Sequence, residues 1–180
     1  ELAFADSQQK RDAARTQALR PLFSVTESLL SETRREPLLD LIINSICEHL
    51  RCDHAACYQQ NVDAKEFSLL TSRGANLLSA HQDMIATIDA SAAPMLINAN
   101  GPGDSNLKAL LAELGLGTAI LIPILRPNMR MVLYAARTVN ESSFRESDIE
   151  MFQILARQAA AALENSRLYA EQLDYVRKVE

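Results

Sequence analysis

The chain has 180 residues, 48% hydrophobic and 23% charged, enough for one domain with a real core and too few for two ordinary ones. A formal charge of −5 with no clustered basic face argues against nucleic acid as a partner. The longest apolar run, 119–125, is far short of the ~20 residues of a membrane helix, and no signal peptide opens the chain, so the expectation is a cytoplasmic protein without membrane insertion.

Residues 6–20, rich in Ala, Gln and Arg, read as a helix of low hydrophobicity. Pro21 stands where a helix can restart, because a first turn does not use the missing N–H, and Leu22, Val25, Thr26, Leu29 and Leu30 follow at helical spacing. The next helix opens at Pro37, with Leu38, Leu41, Ile42, Ile46 and Leu50 on one face. HAACYQQ (54–60) and EFSLLTSR (66–73) are strands of a hairpin joined by polar turn residues. Residues 77–90 carry a weak helical pattern, and MLINA (95–99) a short strand before the loop NANGPGDSN. Leu107, Leu110, Leu111 and Leu114 mark a helix that Gly115 and Gly117 stop. TAILIPIL (118–125) is a central strand buried on both faces, with Pro123 expected at an edge or bulge. RPN turns it into a second hairpin strand, 129–137. The last helix, 147–176, has roughly 29 residues and is ~43 Å long, with a capping box at Ser143 and Glu146 or at Ser147 and Glu150. Hairpins at both ends of a sheet with segregated helices give an α+β fold, an antiparallel sheet sandwiched by helices with long N- and C-terminal helices.

In EPLLDLIINSICEHLRCDHAACYQQ, and in LGLGTAILIPIL, MRMVLYAART and FRESDIEMFQILARQAAAALENSRLY, the chain resembles a GAF domain over roughly 20–170. The resemblance implies the GAF-like, PAS-related fold. It divides the chain into an N-terminal signalling and dimerisation helix at 1–34, the GAF domain at 35–165, and the start of a coiled-coil linker at 166–180. Met131 stands where the family usually has glycine, so the neighbouring surface is expected to be filled. Of the motif that relatives binding cyclic nucleotides often carry, Asn140, Phe144 and Asp148 match, but Glu141 replaces its Lys and Ile149 its Glu. That departure argues against cyclic GMP and cyclic AMP. In relatives that reduce free methionine sulfoxide or bind bilins, the working thiols would fall at about 77–117, where this chain has no cysteine.

Cys47, Cys52 and Cys57, with His49 and His54, crowd into residues 46–57. Three cysteines without an export signal suggest free thiols in a reducing compartment. On an ideal helix Cys47 and Cys52 lie ~140° apart and Cys47 and His49 ~200° apart. On the strand Cys57 faces away from His54 and Tyr58, so the ligands are dispersed. Core packing is the expectation, no metal is assigned, and a thiol- or metal-dependent sensor using the three cysteines is the alternative.

By the resemblance, a ligand pocket lies between the sheet and 77–110, with Tyr58, His81, Asn98, Asp104, Ser105 and Tyr134 as candidate contacts. No cofactor is named by these residues, His81 also reads as an ordinary surface histidine, and NANGPGDSN as only a turn. Leu155, Ala159, Ala162, Ser166, Tyr169, Leu173 and Val176 recur at alternating four and three, the spacing of a coiled-coil seam. With Leu22, Thr26 and Leu29 of the first helix, Leu155, Ala162, Tyr169, Leu173 and Val176 are the expected interface of a homodimeric four-helix bundle. The chain starts at Glu1 and ends mid-pattern, and reads as a piece of a longer protein. The function expected is a non-enzymatic sensory module that binds an unknown small ligand and relays its state to a covalently linked effector, a histidine kinase or a cyclic-dinucleotide enzyme such as a diguanylate cyclase. The alternative in a different class is a degenerate domain serving only as a dimerisation spacer.

Overall fold

The computed structural model describes residues 2–61, 63, 66–74, 92–103 and 105–179, with backbone only for 2–7 and 15–23. In chain order the elements are α1 (Leu2–Ser31), α2 (Arg35–Leu50), β1 (His54–Gln60), β2 (Phe67–Arg73), β3 (Met95–Asn98), α3 (Ser105–Glu113), β4 (Leu116–Arg126), β5 (Met129–Thr138) and α4 (Glu146–Val179). The five strands form one antiparallel sheet in the order β2-β1-β5-β4-β3. The two expected hairpins, β1–β2 and β4–β5, meet at the sheet's centre, and β3 adds an edge beside β4.

Alternation along β4 and β5 sends side chains into two separate apolar layers. Ile120, Ile122, Met131, Leu133 and Ala135 face α2, α4 and the end of α1. Ala119, Leu121, Val132, Tyr134 and Ala136 face α3. Both central strands are thus covered on each side, which is why they read as unbroken hydrophobic runs. Pro123 lies two residues beyond Leu121, the last β4 residue paired with β3, so its missing N–H falls on an open half-edge. Ala156, Ala159, Ala160 and Ala162 are buried. Their small side chains let α4 lie close to the sheet and to α2.

Three local expectations need correction. First, α1 is a single 30-residue helix that passes through Pro21 instead of restarting there. A proline φ near −65° is already helical, and the change forfeits one N–H bond without altering the register of the turns around it. Second, α2 begins at Arg35, so Pro37 occupies its first turn. Third, neither serine caps α4. Asp148 reaches back instead, its Oδ2 accepting the Arg145 N–H at 2.7 Å, which is the reciprocal half of a capping box. Asp148→Ala should therefore cost about 1 kcal/mol of stability, read as a lowered urea midpoint, whereas Ser147→Ala should leave it nearly unchanged.

Met131 also departs from expectation. It is buried on the α2/α4 side of the sheet, so it fills nothing on the α3 face where the family's pocket would lie.

Candidate functional site

On the α3 face, Tyr58 and Tyr134 are brought together. Tyr58 pairs with Val132 and Tyr134 with Ala56 across β1 and β5, and both rings are fully buried among Ile97, Leu111 and Leu121. The Tyr134 hydroxyl has no hydrogen-bond partner among the described residues. Burial, with Tyr58 beside it, pushes its pKa up, so it stays a neutral donor. A buried hydroxyl left unpaired costs about 1–3 kcal/mol, a penalty that an incoming acceptor would relieve.

The other candidates are elsewhere. Asn98 ends β3, where its Oδ1 accepts the Thr118 hydroxyl at 2.6 Å. The same Thr118 oxygen accepts the Phe144 N–H at 3.4 Å. Thr118 therefore ties three segments together at the end of the sheet, where Asn98 borders a 280 Å³ cavity with Asn100, Gly117, Glu141 and Ser143. Gly117 sits at a β-bulge in this corner. A Cβ there would come within 2.9 Å of the Val139 Cα, so the chain can approach only as glycine. Ser105 is exposed at the first residue of α3. His81 and Asp104 lie outside the described residues.

Two sets of functional groups escaped the sequence reading. Arg137 is almost wholly buried on β5. Its guanidinium donates to the Leu50 carbonyl at 2.5 Å and the Ser142 carbonyl at 3.1 Å, and lies 4.2 Å from the centre of the Phe144 ring. Leu50 O is one of the last carbonyls of α2, so the charge is met by the negative end of a helix. The signal was present, since Arg137 shares the alternation of Met131, Leu133 and Ala135, all core positions.

The second set is the cysteine pair. Arg51 adopts the left-handed conformation (φ 49°, ψ 58°) and turns the chain back on α2. The Cys52 N–H thereby bonds the Cys47 carbonyl at 3.0 Å, and both side chains are buried in the same apolar layer. The ~140° separation of an ideal helix does not survive this turn. Cys57 stays apart, fully buried on the α2/α4 side. Among the described residues no three His, Cys, Asp or Glu side chains converge as a metal site needs, and no helix is long and apolar enough to cross a membrane.

The expected interface residues divide along α4. Leu29, Leu155 and Ala162 are no more than 2% exposed and belong to the chain's own core. They have no surface left for a second subunit, which corrects their assignment to it. Ser166 is likewise buried, its hydroxyl donating to the Thr33 carbonyl at 2.8 Å. Beyond it the same stripe opens: Tyr169, Leu173 and Val176 are 46%, 44% and 54% exposed. On the opposite flank Arg167 is ion-paired with Glu164 and Glu171. Thr26 is half-buried on α1, and the side chain of Leu22 is outside the described residues.

A five-stranded antiparallel sheet in the order β2-β1-β5-β4-β3, with helices on both faces and a long last helix, defines an α+β sandwich. The GAF domain family matches residues 34–163, and the chain belongs to that family. Solved structures similar in fold include the GAF domain of a phosphoenolpyruvate-protein phosphotransferase from Coxiella burnetii (20% identity, TM-score 0.67, 86% of this chain and 96% of that one). The phycoerythrobilin-bound GAF domain of a cyanobacterial phytochrome is 17% identical, with TM-score 0.62 over 86% of this chain and 97% of that one. The GAF domain of a two-component sensor histidine kinase from Bacillus halodurans is 20% identical, with TM-score 0.53 over 73% and 97%. The sequence matches none of the curated proteins with which it was compared.

Proposed function

We propose that this chain is a non-enzymatic sensory module whose α4 joins a ligand-responsive sheet to a dimeric helical bundle. The observation that carries the reading is the double use of one α4 stripe. From Leu155 to Ser166 it packs inside the chain, and from Tyr169 to Val176 the same spacing continues in the open. A helix anchored at one end and exposed at the other is suited to passing a change in packing outward.

In this reading a small ligand binds against the α3 face, where the Tyr134 hydroxyl has no partner among the described residues, with His81, Asp104 and Ser105 as further proposed contacts. The ligand shifts the helix arrangement only as far as it binds one arrangement better than another. The interface consists of Tyr169, Leu173 and Val176 with Leu22 and Thr26 of α1. The output is a covalently linked histidine kinase or cyclic-dinucleotide enzyme. A GAF domain of a sensor histidine kinase and a bilin-bound GAF domain among the similar folds support this reading.

The alternative is a spacer that dimerises and binds nothing. The tight packing of Tyr58, Leu111, Leu121 and Tyr134, all fully or nearly fully buried, favours it. A thermal-shift screen of small metabolites separates the two: stabilisation by a ligand that is lost in Tyr134→Phe supports sensing, and a uniformly blank screen supports the spacer.

A further inference from the structure

Cys47 and Cys52 are held together by the way α2 ends. The turn at Arg51 closes six residues with the Cys52 N–H on the Cys47 carbonyl, the geometry of a Schellman motif, whose two ends commonly touch through their side chains. Here both ends are cysteine, and both are buried. A disulfide needs Cα atoms about 4.4–6.8 Å apart. Two residues sharing a 3.0 Å backbone hydrogen bond, with both side chains buried in one apolar layer, are placed to meet that demand.

The two thiols are also chemically unequal. The neighbouring Cys52 thiol, helped by the positive charge of Arg73, holds the Cys47 thiol below the ordinary range. The same contact and burial push Cys52 up. Cys47 is therefore the more readily ionised of the two, and Cys52 the partner that holds its proton more tightly. Cys47 is buried but keeps 6% exposure, and Arg73 is exposed at the end of β2. Cys57 is the internal contrast, fully buried and pushed up to about 12 by that burial.

We propose that Cys47 and Cys52 form an intrachain redox site, oxidised by hydroperoxides to a disulfide that staples the end of α2 to the start of β1. The Cys47 thiolate attacks one peroxide oxygen, the O–O bond breaks, and hydroxide or alkoxide leaves, giving a sulfenic acid. The Cys52 sulfur then attacks the Cys47 sulfur. The S–S bond forms, the S–OH bond breaks, and the Cys52 proton leaves with the hydroxyl as water. In sum, two thiols are oxidised and one hydrogen peroxide is reduced to two waters.

The test treats the whole chain with hydrogen peroxide, alkylates the remaining thiols under denaturing conditions, and maps tryptic peptides. Trypsin cuts after Arg35, Arg51 and Lys65, so the disulfide links peptide 36–51 to peptide 52–65. Cys57→Ala is run beside the native chain to assign the second sulfur, with fragmentation of the native cross-linked peptide as the independent assignment. The expected result is this link within single chains, a Cys57 that is still alkylated, and at least tenfold slower loss of the Cys52 thiol in Cys47→Ser. Both Cys47 and Cys52 recovered alkylated, overoxidised without a link, or joined only between chains would overturn the proposal.

Discussion

Arg137→Ala should lower unfolding stability by roughly 3 kcal/mol and the melting temperature by about 6–12 °C, among the largest losses of any polar substitution in the domain. The side chain makes hydrogen bonds to two carbonyls and covers the Phe144 ring. Bonds involving a charged donor are worth about 1.5–3 kcal/mol each, and the ring contact about another 0.5–2. Part of that gain is offset by burying the guanidinium, and its Nε has no partner among the described residues. Truncation leaves the Leu50 carbonyl unpaired at the end of α2 and removes the link between β5 and the 139–145 loop. Arg137→Lys should recover little, because one ammonium cannot reproduce a planar fork serving two carbonyls and a ring. Chemical denaturation of the three proteins checks this; a loss below about 1 kcal/mol for Arg137→Ala would show that Arg137 is not the clasp described.

The second large effect concerns association. Leu173→Glu with Val176→Glu should weaken the proposed dimer by about 4 kcal/mol, nearly a thousandfold in dissociation constant, while leaving the monomer's melting behaviour intact. Both side chains are roughly half exposed in the single chain. Their pairing would remove about 1 kcal/mol worth of apolar surface per side chain, four to a dimer. Four carboxylates facing one another across the seam would add repulsion. Light scattering across concentration checks it, with the native chain at twice 19.9 kDa and the double variant at 19.9 kDa over the micromolar range. Equal masses for both would remove the α4 interface.

Most of the architecture was legible because its elements are long and strongly patterned. The runs at 118–125 and 129–137 became β4 and β5, each extended by a residue or more. The last helix was placed within three residues at either end. What escaped depends on single backbone conformations or on contacts distant in sequence. Helix periodicity alone separated Cys47 from Cys52, because the left-handed turn is at Arg51, an arginine where glycine would have advertised it. Asp148 was read as part of a ligand motif, yet its carboxylate caps α4. The role of Arg137 needs Leu50, which is 87 residues away. A heptad pattern shows which α4 residues share a stripe, but not where the chain's own core stops using it. That boundary is set by the joint where Ser166 meets Thr33.

The proposal that two copies meet through the overhang of α4, side by side and in register, is tested most directly by cysteine cross-linking. Cys47, Cys52 and Cys57 are buried, and the proposed Cys47–Cys52 link closes within one chain, so a link between chains reports on the introduced cysteine. Leu173 lies on the seam and Lys178 faces away from it. In a parallel pair, Leu173→Cys should cross-link to itself rapidly under mild oxidation, and Lys178→Cys should remain mostly monomeric. Equal cross-linking at both positions, or none at Leu173→Cys at concentrations where the native chain scatters as a dimer, would contradict the account.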